Sequence, residues 1–401
     1  MIIFLIFYGL YGLANLYVFL KVKYIFHIGT PASIFLGAFL LFMTFTPTLI
    51  YLCSFRCPDA LTRIYAYIGY TWVALIVIFF SSSILFDLYD FIIRAGDLIL
   101  QKDLGRITVS PASAFFISFL LSIALSTYGY FEAKNLRVER LTVETPKLPP
   151  GVNKLTIVQV SDLHLGIIVR EKMLDKVIRK IEEAKPDMIV FTGDLLDAEV
   201  NHIDYLAGRL KTVNARLGKF AVTGNHEFYG GIKYAVNFIQ NAGSTLLRGS
   251  GVTVQNMINI AGVDDPTAKY MKSEGTNLSG VTEKEILSKL PPQFFTLLLK
   301  HRPEVDKDAV GFFDLQLSGH AHKGQIFPIS IFTKLYYRIH AGYSKLNNGS
   351  AVYVSRGAGT AGPPVRLFAP PEVAIIDVVS REKSQVSEDR KIDNKNKKGK
   401  L

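Results

Sequence analysis

Four runs, Ile2–Leu20, Ser33–Cys53, Ile64–Phe86 and Ala112–Phe131, contain no charged side chain. Each is near the ~20 residues a helix needs to cross a hydrocarbon core. Inside lipid every backbone polar group must be satisfied within the segment, so such runs are helices. Four helices buried in a water-soluble bundle would show a polar face at helical spacing, and no such face recurs. The first run lacks the basic stretch that opens a signal peptide and is followed by three more runs. Pro47 lies inside the second run and predicts a kink there. The expectation is a four-helix transmembrane domain over residues 1–132, and so an integral, multi-pass membrane protein.

Charge does not orient these helices. With the N-terminus inside, the inner set is Arg56, Arg63, Lys134, Arg137 and Arg140, and the outer set is Lys21, Lys23, Arg94, Lys102 and Arg106. Five stand against five. A cytoplasmic position for the domain that follows is the working expectation. The net charge of +11 would suit nucleic acid or an anionic membrane. No nucleic-acid module is recognisable, so no nucleic-acid partner is expected, and the excess is assigned to membrane surface and phosphate ligands. Cys53 and Cys57 close the second run. They indicate neither a disulfide framework nor a thiolate metal site, and their redox state is open.

Residues 133–151 read as a polar linker ending in Pro149-Pro150. From there strands and helices alternate over residues 152–380. Leu155–Val160 is a buried strand rich in Ile, Val and Leu. Met173–Ala184 has apolar residues at helical period. Further strands are predicted at Met188–Phe191, Lys219–Val222, Val252–Ala261, Phe295–Leu299, Leu315–Leu317, Ala351–Val354 and Val373–Val378, with helices at Ile203–Val213 and Lys233–Gln240. This order argues an α/β sandwich. Residues 381–401 hold eight Lys/Arg against four Asp/Glu and almost no apolar groups, which predicts a charged disordered tail.

Five clusters follow the strands: Asp162 with His164; Gly193-Asp194-Leu195-Leu196-Asp197; Gly224-Asn225-His226-Glu227; His301; and Gly319-His320-Ala321-His322. Asp162 and His164 are two apart and so share one side of an extended backbone. Carboxylates and imidazoles at carboxyl ends of strands, where open α/β sheets place ligands, have the makings of a metal site. Singly, each has a plainer role: Asn225 or Asp194 could cap a helix, and His301 could be a satisfied core histidine. Together they take five of the chain's eight histidines and leave only His27, His202 and His340 outside.

This order of motifs resembles the calcineurin-like metallophosphoesterase superfamily, over roughly Lys154 to Val379. Within it the chain is similar to a membrane-associated bacterial branch that includes UDP-diacylglucosamine hydrolase-type enzymes, a similarity carried by AGVDDP (261–266), GHAHKGQ (319–325) and SRGAGT (355–360). The resemblance implies an α/β/β/α sandwich with two divalent ions, of which Mn, Fe, Zn and Mg all suit ligands without thiolate. It implies one ion on Asp162, His164, Asp194 and His322 and the other on Asp194, Asn225, His301 and His320, with a metal-bridging hydroxide attacking a phosphoester or pyrophosphate. His226 is then the candidate to protonate the leaving oxygen, and Asp197 the residue to orient it. Two departures stand out. Lys323 replaces a usual glycine, which puts the local loop in question, and Ala198 replaces the arginine of the superfamily's protein phosphatases, which argues against a phosphoprotein substrate.

The expected partners are the membrane itself and a phosphate-containing substrate, lipid-linked or soluble, between which the residues do not choose. Oligomeric state is left open. One rival is a membrane protein whose phosphoesterase-like domain only binds a phosphate ligand and regulates the helices. A lapsed enzyme would have lost ligands, and all seven are present. The other rival, a transporter, lacks a charged residue within the four runs.

Overall fold

The computed structural model describes residues 2–54, 56–198, 203–271 and 281–381. Beyond Arg381 the expected tail lies outside the described residues, as does His202. The chain forms two compact units. The first takes residues 1–134, 324–332 and 361–368; the second takes 135–323, 333–360 and the chain from 369 on.

The first unit is built on α1 (Ile2–Phe26), α2 (Thr30–Thr44), α3 (Thr46–Ser54), α4 (Asp59–Leu100) and α5 (Pro111–Glu132). Three of these, α1, α4 and α5, are long and apolar enough to cross a membrane, and α2 with α3 makes a fourth if that bent pair is one span. The bend is 52° and falls just before Pro47, where the kink was expected. Proline offers no N–H to the carbonyl of Met43, and its ring crowds that carbonyl. The freed oxygen is taken instead by the Thr46 hydroxyl at 2.7 Å and the Tyr11 hydroxyl at 3.3 Å. That is how a broken helix stays satisfied away from water.

The helices run past the apolar runs, and their extensions are charged. Lys21 donates to Asp87 at 2.7 Å and to Ser83 at 2.8 Å, with Tyr17 completing the group. The charged pair thus lies in the last turns of α1 rather than mid-span. Cys53 and Cys57, left open by the sequence, form a disulfide that closes a local loop. In the two excursions 324–332 and 361–368, Ile326, Val365 and Leu367 are buried with Ala74 and Ile78 of α4.

The second unit begins with β1 (Arg137–Thr145), inside the stretch expected to be linker, and β2 (Lys154–Val160). There follow α6 (Glu171–Ala184), β3 (Met188–Thr192), α7 (Asp204–Lys211), β4 (Lys219–Val222), α8 (Asn225–Tyr229), α9 (Ile232–Asn241) and β5 (Thr245–Leu246). Then come β6 (Ser250–Val254), β7 (Ile258–Gly262), α10 (Glu283–Leu287), β8 (Phe295–Leu299), β9 (Leu315–Ser318), α11 (Ile329–Tyr336, which begins in the first unit), β10 (Gly342–Lys345), β11 (Ala351–Val354) and β12 (Glu372–Ser380). The strand expected over Val252–Ala261 is a hairpin. Three residues link the paired Val254 and Ile258, and two of them, Gln255 and Asn256, take the positive φ that a tight hairpin connection uses.

Two six-stranded sheets result, ordered β1-β12-β2-β3-β4-β5 and β10-β11-β9-β8-β7-β6. Alternate residues of both sheets meet in one core: Leu155 and Ile157, Met188 and Val190, Leu297 and Leu299, Leu315 and Leu317. The period of two puts every second side chain between the sheets. On the outer faces α6 buries Leu174, Val177 and Ile181, and α10 buries Ile286 and Leu287 against Ala261 and Leu298. The architecture is the α/β/β/α sandwich. Strands β2, β3, β4, β8 and β9 all end at the same kind of place, immediately before a cluster of polar residues.

Truncating Leu297, fully buried between the sheets, should destabilise the second unit by about 2–5 kcal/mol. Thermal unfolding of the full chain carrying Leu297→Ala should show a lower midpoint, while Lys345→Ala at an exposed strand end leaves it unchanged.

Candidate metal centre

Each of the five strands delivers its residues within a few positions of its carboxyl end. Beyond β2 come Asp162 and His164, beyond β3 Asp194 and Asp197, beyond β4 Asn225 and His226, beyond β8 His301, and beyond β9 His320 and His322. The loops are locked to one another through their backbones. Asp162 N–H donates to Gly193 O at 3.1 Å, His164 N–H to Asp194 O at 3.0 Å, and Gly319 N–H to His301 O at 2.8 Å. Asp162, His164, Asp194, His320 and His322 all have φ between 47° and 68°. Left-handed backbone is uncommon for residues other than glycine and concentrates at functional sites. Lys323 shares it at φ 52°, so the loop keeps the shape a glycine would favour and lysine bears the strain.

All seven expected ligands are brought together. Asp162, His164 and His322 form one buried group, and Asp194 and His301, both buried, form another with the half-buried His320. Asp194 Oδ2 faces both, 3.1 Å from His301 Nε2 and 3.8 Å from His164 Nε2. His164 Nε2 and His322 Nε2 lie 3.0 Å apart, and His322 Nε2 lies 3.3 Å from Asp162 Oδ1. Around His301 Nε2 stand three acceptor atoms: Asp194 Oδ2, Asn225 Oδ1 at 3.3 Å and His320 Nδ1 at 3.1 Å. One proton on His301 Nε2 can serve only one of them well. A divalent cation among these atoms would satisfy all four, so the donor set fits a metal. Thr192 O accepts from His301 Nδ1 at 2.9 Å and fixes the ring with Nε2 directed at the cluster.

Charge follows from this crowding. Burial alone would raise Asp162 and Asp194, but neighbouring imidazoles, His322 for the first and His301 for the second, hold both below the carboxylate range. Burial works against a proton on His301, yet Asp194 pushes its pKa up to about 10. Burial, and then the charge on His301, bring His320 down to about 3. The same pocket of protein thus keeps one imidazole charged and its neighbour neutral.

His226 stands at the edge of the cluster. Its Nδ1 lies 2.8 Å from Asp197 Oδ1, its backbone N–H donates to Asp194 Oδ1 at 2.9 Å, and its ring is edge-on to His164 with centroids 4.6 Å apart. His164 and Asp194 are close enough for His226 to complete a further trio. With Nδ1 on Asp197 and the side chain 22% exposed, its Nε2 is better placed to exchange a proton. Burial works against a charge on Asp197, but the neighbouring imidazoles keep it anionic: His164, whose Nδ1 stands 3.7 Å away, and His226, which is hydrogen-bonded to it.

Three residues given no role by the sequence reading prove central. Glu227, buried, accepts from the backbone N–H of Asp194 at 2.9 Å, Gly224 at 2.6 Å and Leu196 at 3.0 Å. It holds the β3 and β4 loops together, and burial followed by Asp194's charge raises its pKa. Asp265 of AGVDDP clasps Arg302, the residue after His301, through two oxygens at 2.7 and 3.1 Å. Adjacency to His226 and His301 was the available signal. Gly224 and Gly319 are needed for close approach: a Cβ would lie 2.2 Å from Asp194 Oδ1 in one case and 1.9 Å from Ser161 Oγ in the other.

Comparison with known proteins agrees in kind. Residues 155–324 match the family model described as calcineurin-like phosphoesterase. An uncharacterized metallophosphoesterase of Aquifex aeolicus is 40% identical over 259 residues, 64% of this chain and 97% of that protein. A transmembrane protein with metallophosphoesterase domain from Danio rerio is 28% identical across 81% of this chain and 76% of its own length. An uncharacterized metallophosphoesterase of Campylobacter jejuni is 29% identical over 93% and 97%.

A cation must displace the proton that Asp194 holds on His301. Affinity for a divalent ion should therefore rise from about pH 6 to about pH 9, by up to about tenfold per unit for one displaced proton. Calorimetry in buffers of differing ionisation enthalpy should register proton release, and a pH-independent affinity would remove His301 from the ligands. Asp194→Asn should lower the metal content of both groups together; retention of two ions with full turnover would rule out a shared carboxylate.

Proposed function

The chain belongs to the calcineurin-like metallophosphoesterases, and from that premise we propose a membrane-anchored phosphohydrolase that holds two divalent cations and cleaves a phosphoester or pyrophosphate bond of a lipid-linked substrate. The supporting observation is Asp194, whose single oxygen Oδ2 faces His301 on one side and His164 on the other. One ion would rest on Asp162, His164, Asp194 and His322, the other on Asp194, Asn225, His301 and His320. When bound, the pair supplies an activated water and neutralises phosphoryl charge.

The remaining steps belong to side chains. His226, as imidazolium, offers the proton on Nε2 to the departing oxygen. Asp197 accepts its Nδ1–H, which sets the ring and stabilises the charged form. Asp197 can do so because its pKa is held low. Glu227 fixes the loops carrying Asp194 and Asn225 so that neither swings when phosphate arrives.

The lipid-linked substrate is supported by α11. It buries no residue, and it exposes Phe332 by 66%, Leu335 by 78% and Tyr336 by 76%. Lys334 and Arg338 are interleaved with them, a mixture suited to a headgroup region. Tyr337, just past the helix, sets its ring edge-on to His320 at 5.8 Å. Leu335 and Tyr336, exposed in the second unit just before Tyr337, would on this reading meet acyl chains near the cluster.

Metal-loaded full-length protein should be assayed on monoesters, diesters and nucleotide-linked lipids, and no hydrolysis of any would refute the enzyme. His226→Ala should cut turnover by ~10²–10⁴-fold with metal content unchanged, and by less for esters with acidic leaving groups. Asp197→Asn should give a milder form of that defect; a wild-type rate would exclude it. Phe332→Asp with Leu335→Asp should lower activity on lipid-linked phosphate in vesicles while leaving a soluble diester unaffected, and equal loss on both would refute the lipid-facing role of α11.

A further inference from the structure

The helices of the first unit record their own direction of travel. Tyr8 meets Thr48, Tyr11 meets Met43, and Phe19 lies against Gly37. As α1 advances, its partners on α2 and α3 recede, so the bent pair runs antiparallel to α1 over most of its length. Against α4 the order is reversed: Tyr11 and Ala14 pack with Val73 and Ile76, Tyr17 bonds Ser83, and Lys21 pairs with Asp87. Helix α4 is therefore parallel to α1. A chain that travels the same way in both must have been carried back between them, which makes α2 with α3 one broken span and not a re-entrant loop. Helix α5 is antiparallel to α4, with Phe79 on Phe115 and Tyr89 on the Ile107 carbonyl. The chain crosses four times.

Two of those crossings, α4 and α5, lie between Cys57 and Asn135. Two crossings return a chain to the side it left, so the Cys53–Cys57 disulfide shares a side with the domain that begins at Asn135. Disulfides persist in oxidising compartments and are rare where glutathione and thioredoxin keep thiols reduced. We propose that the metal-binding domain faces an oxidising compartment, outside the cytoplasm, and that its substrate is a phosphoester exposed on that face of the membrane. The second part rests on the phosphohydrolase reading; the first does not.

The basic residues, recounted with four crossings, point the same way. Large domains translocate largely regardless of charge, so Lys134, Arg137 and Arg140, at the head of a long domain, do not count. What remains is Arg56 and Arg63 beside the disulfide against Lys21, Lys23, Arg94, Lys102 and Arg106 opposite. Two against five puts the opposite side in the cytoplasm. The even balance of five against five includes the domain's own flank, and the proposal places the domain opposite to the cytoplasmic side expected from the sequence.

The test uses the full chain in bacterial membranes, as spheroplasts and as sealed inverted vesicles. Protease added outside should digest the domain in spheroplasts and spare it in inverted vesicles. Maleimide applied to the denatured, unreduced protein should leave Cys53 and Cys57 unlabelled until reductant is added. A charged, membrane-impermeant phosphodiester should be hydrolysed by spheroplasts, while inverted vesicles should act on it only once detergent opens them. Asp194→Asn should abolish that signal without moving the protease pattern. Digestion confined to inverted vesicles would overturn the proposal, as would two free thiols in the unreduced chain. Absence of hydrolysis on both faces, with the domain digested in spheroplasts, would refute the hydrolase reading and leave the orientation standing.

Discussion

A carboxylate with almost no access to water is the constraint to which the second unit answers. Asp194 is 2% exposed and lies two residues beyond the end of β3, a central strand. A buried, unpaired charge is so unfavourable that the surroundings must supply partners or take up its proton. Here they supply partners: the His226 backbone on one oxygen and two sets of imidazoles around the other. Glu227, a second buried carboxylate nearby, stays in place by collecting three backbone donors. Five strand ends must converge for this arrangement to close, and the paired sheets bring them there.

Much of the site was legible because chemistry restricts residue type. Only a few side chains ligate a cation, and Asp162, His164, Asp194, Asn225, His301, His320 and His322 are spaced by strands whose apolar composition is easy to read. Backbone conformation left no such trace. Nothing in Asp-Leu-His or His-Ala-His announces left-handed φ, since glycine is the residue that usually signals it. Glu227 and the Arg302–Asp265 pair were hidden for a different reason: they act on backbone or on each other across the fold, and such contacts have no spacing in sequence.

The same limits appear in the architecture. Residues 137–145 carry Arg137, Glu139, Arg140 and Glu144, which suggested a linker; they form an edge strand, where outward charges are common. The hairpin between β6 and β7 turns on Gln255 and Asn256 rather than the Asn-Gly pair that would have marked it. In the first unit, hydropathy displayed four spans but not their mutual direction. That came from pairs such as Tyr17 with Ser83 and Lys21 with Asp87, which lie more than sixty residues apart.

The two excursions, 324–332 and 361–368, give the chain an unusual topology of descent. It passes between units at 134, 323, 332, 360 and 368, so five peptide bonds mark borders that most two-domain proteins cross once. No single cut of the gene separates the halves. A catalytic fragment beginning after α5 would still carry Ile326, Val365 and Leu367 without the helix that buries them, and would be expected to aggregate through that exposed surface. Recombination faces the same obstacle. A free-standing version of the domain would need other residues in place of Ile326, Val365 and Leu367 in those two segments.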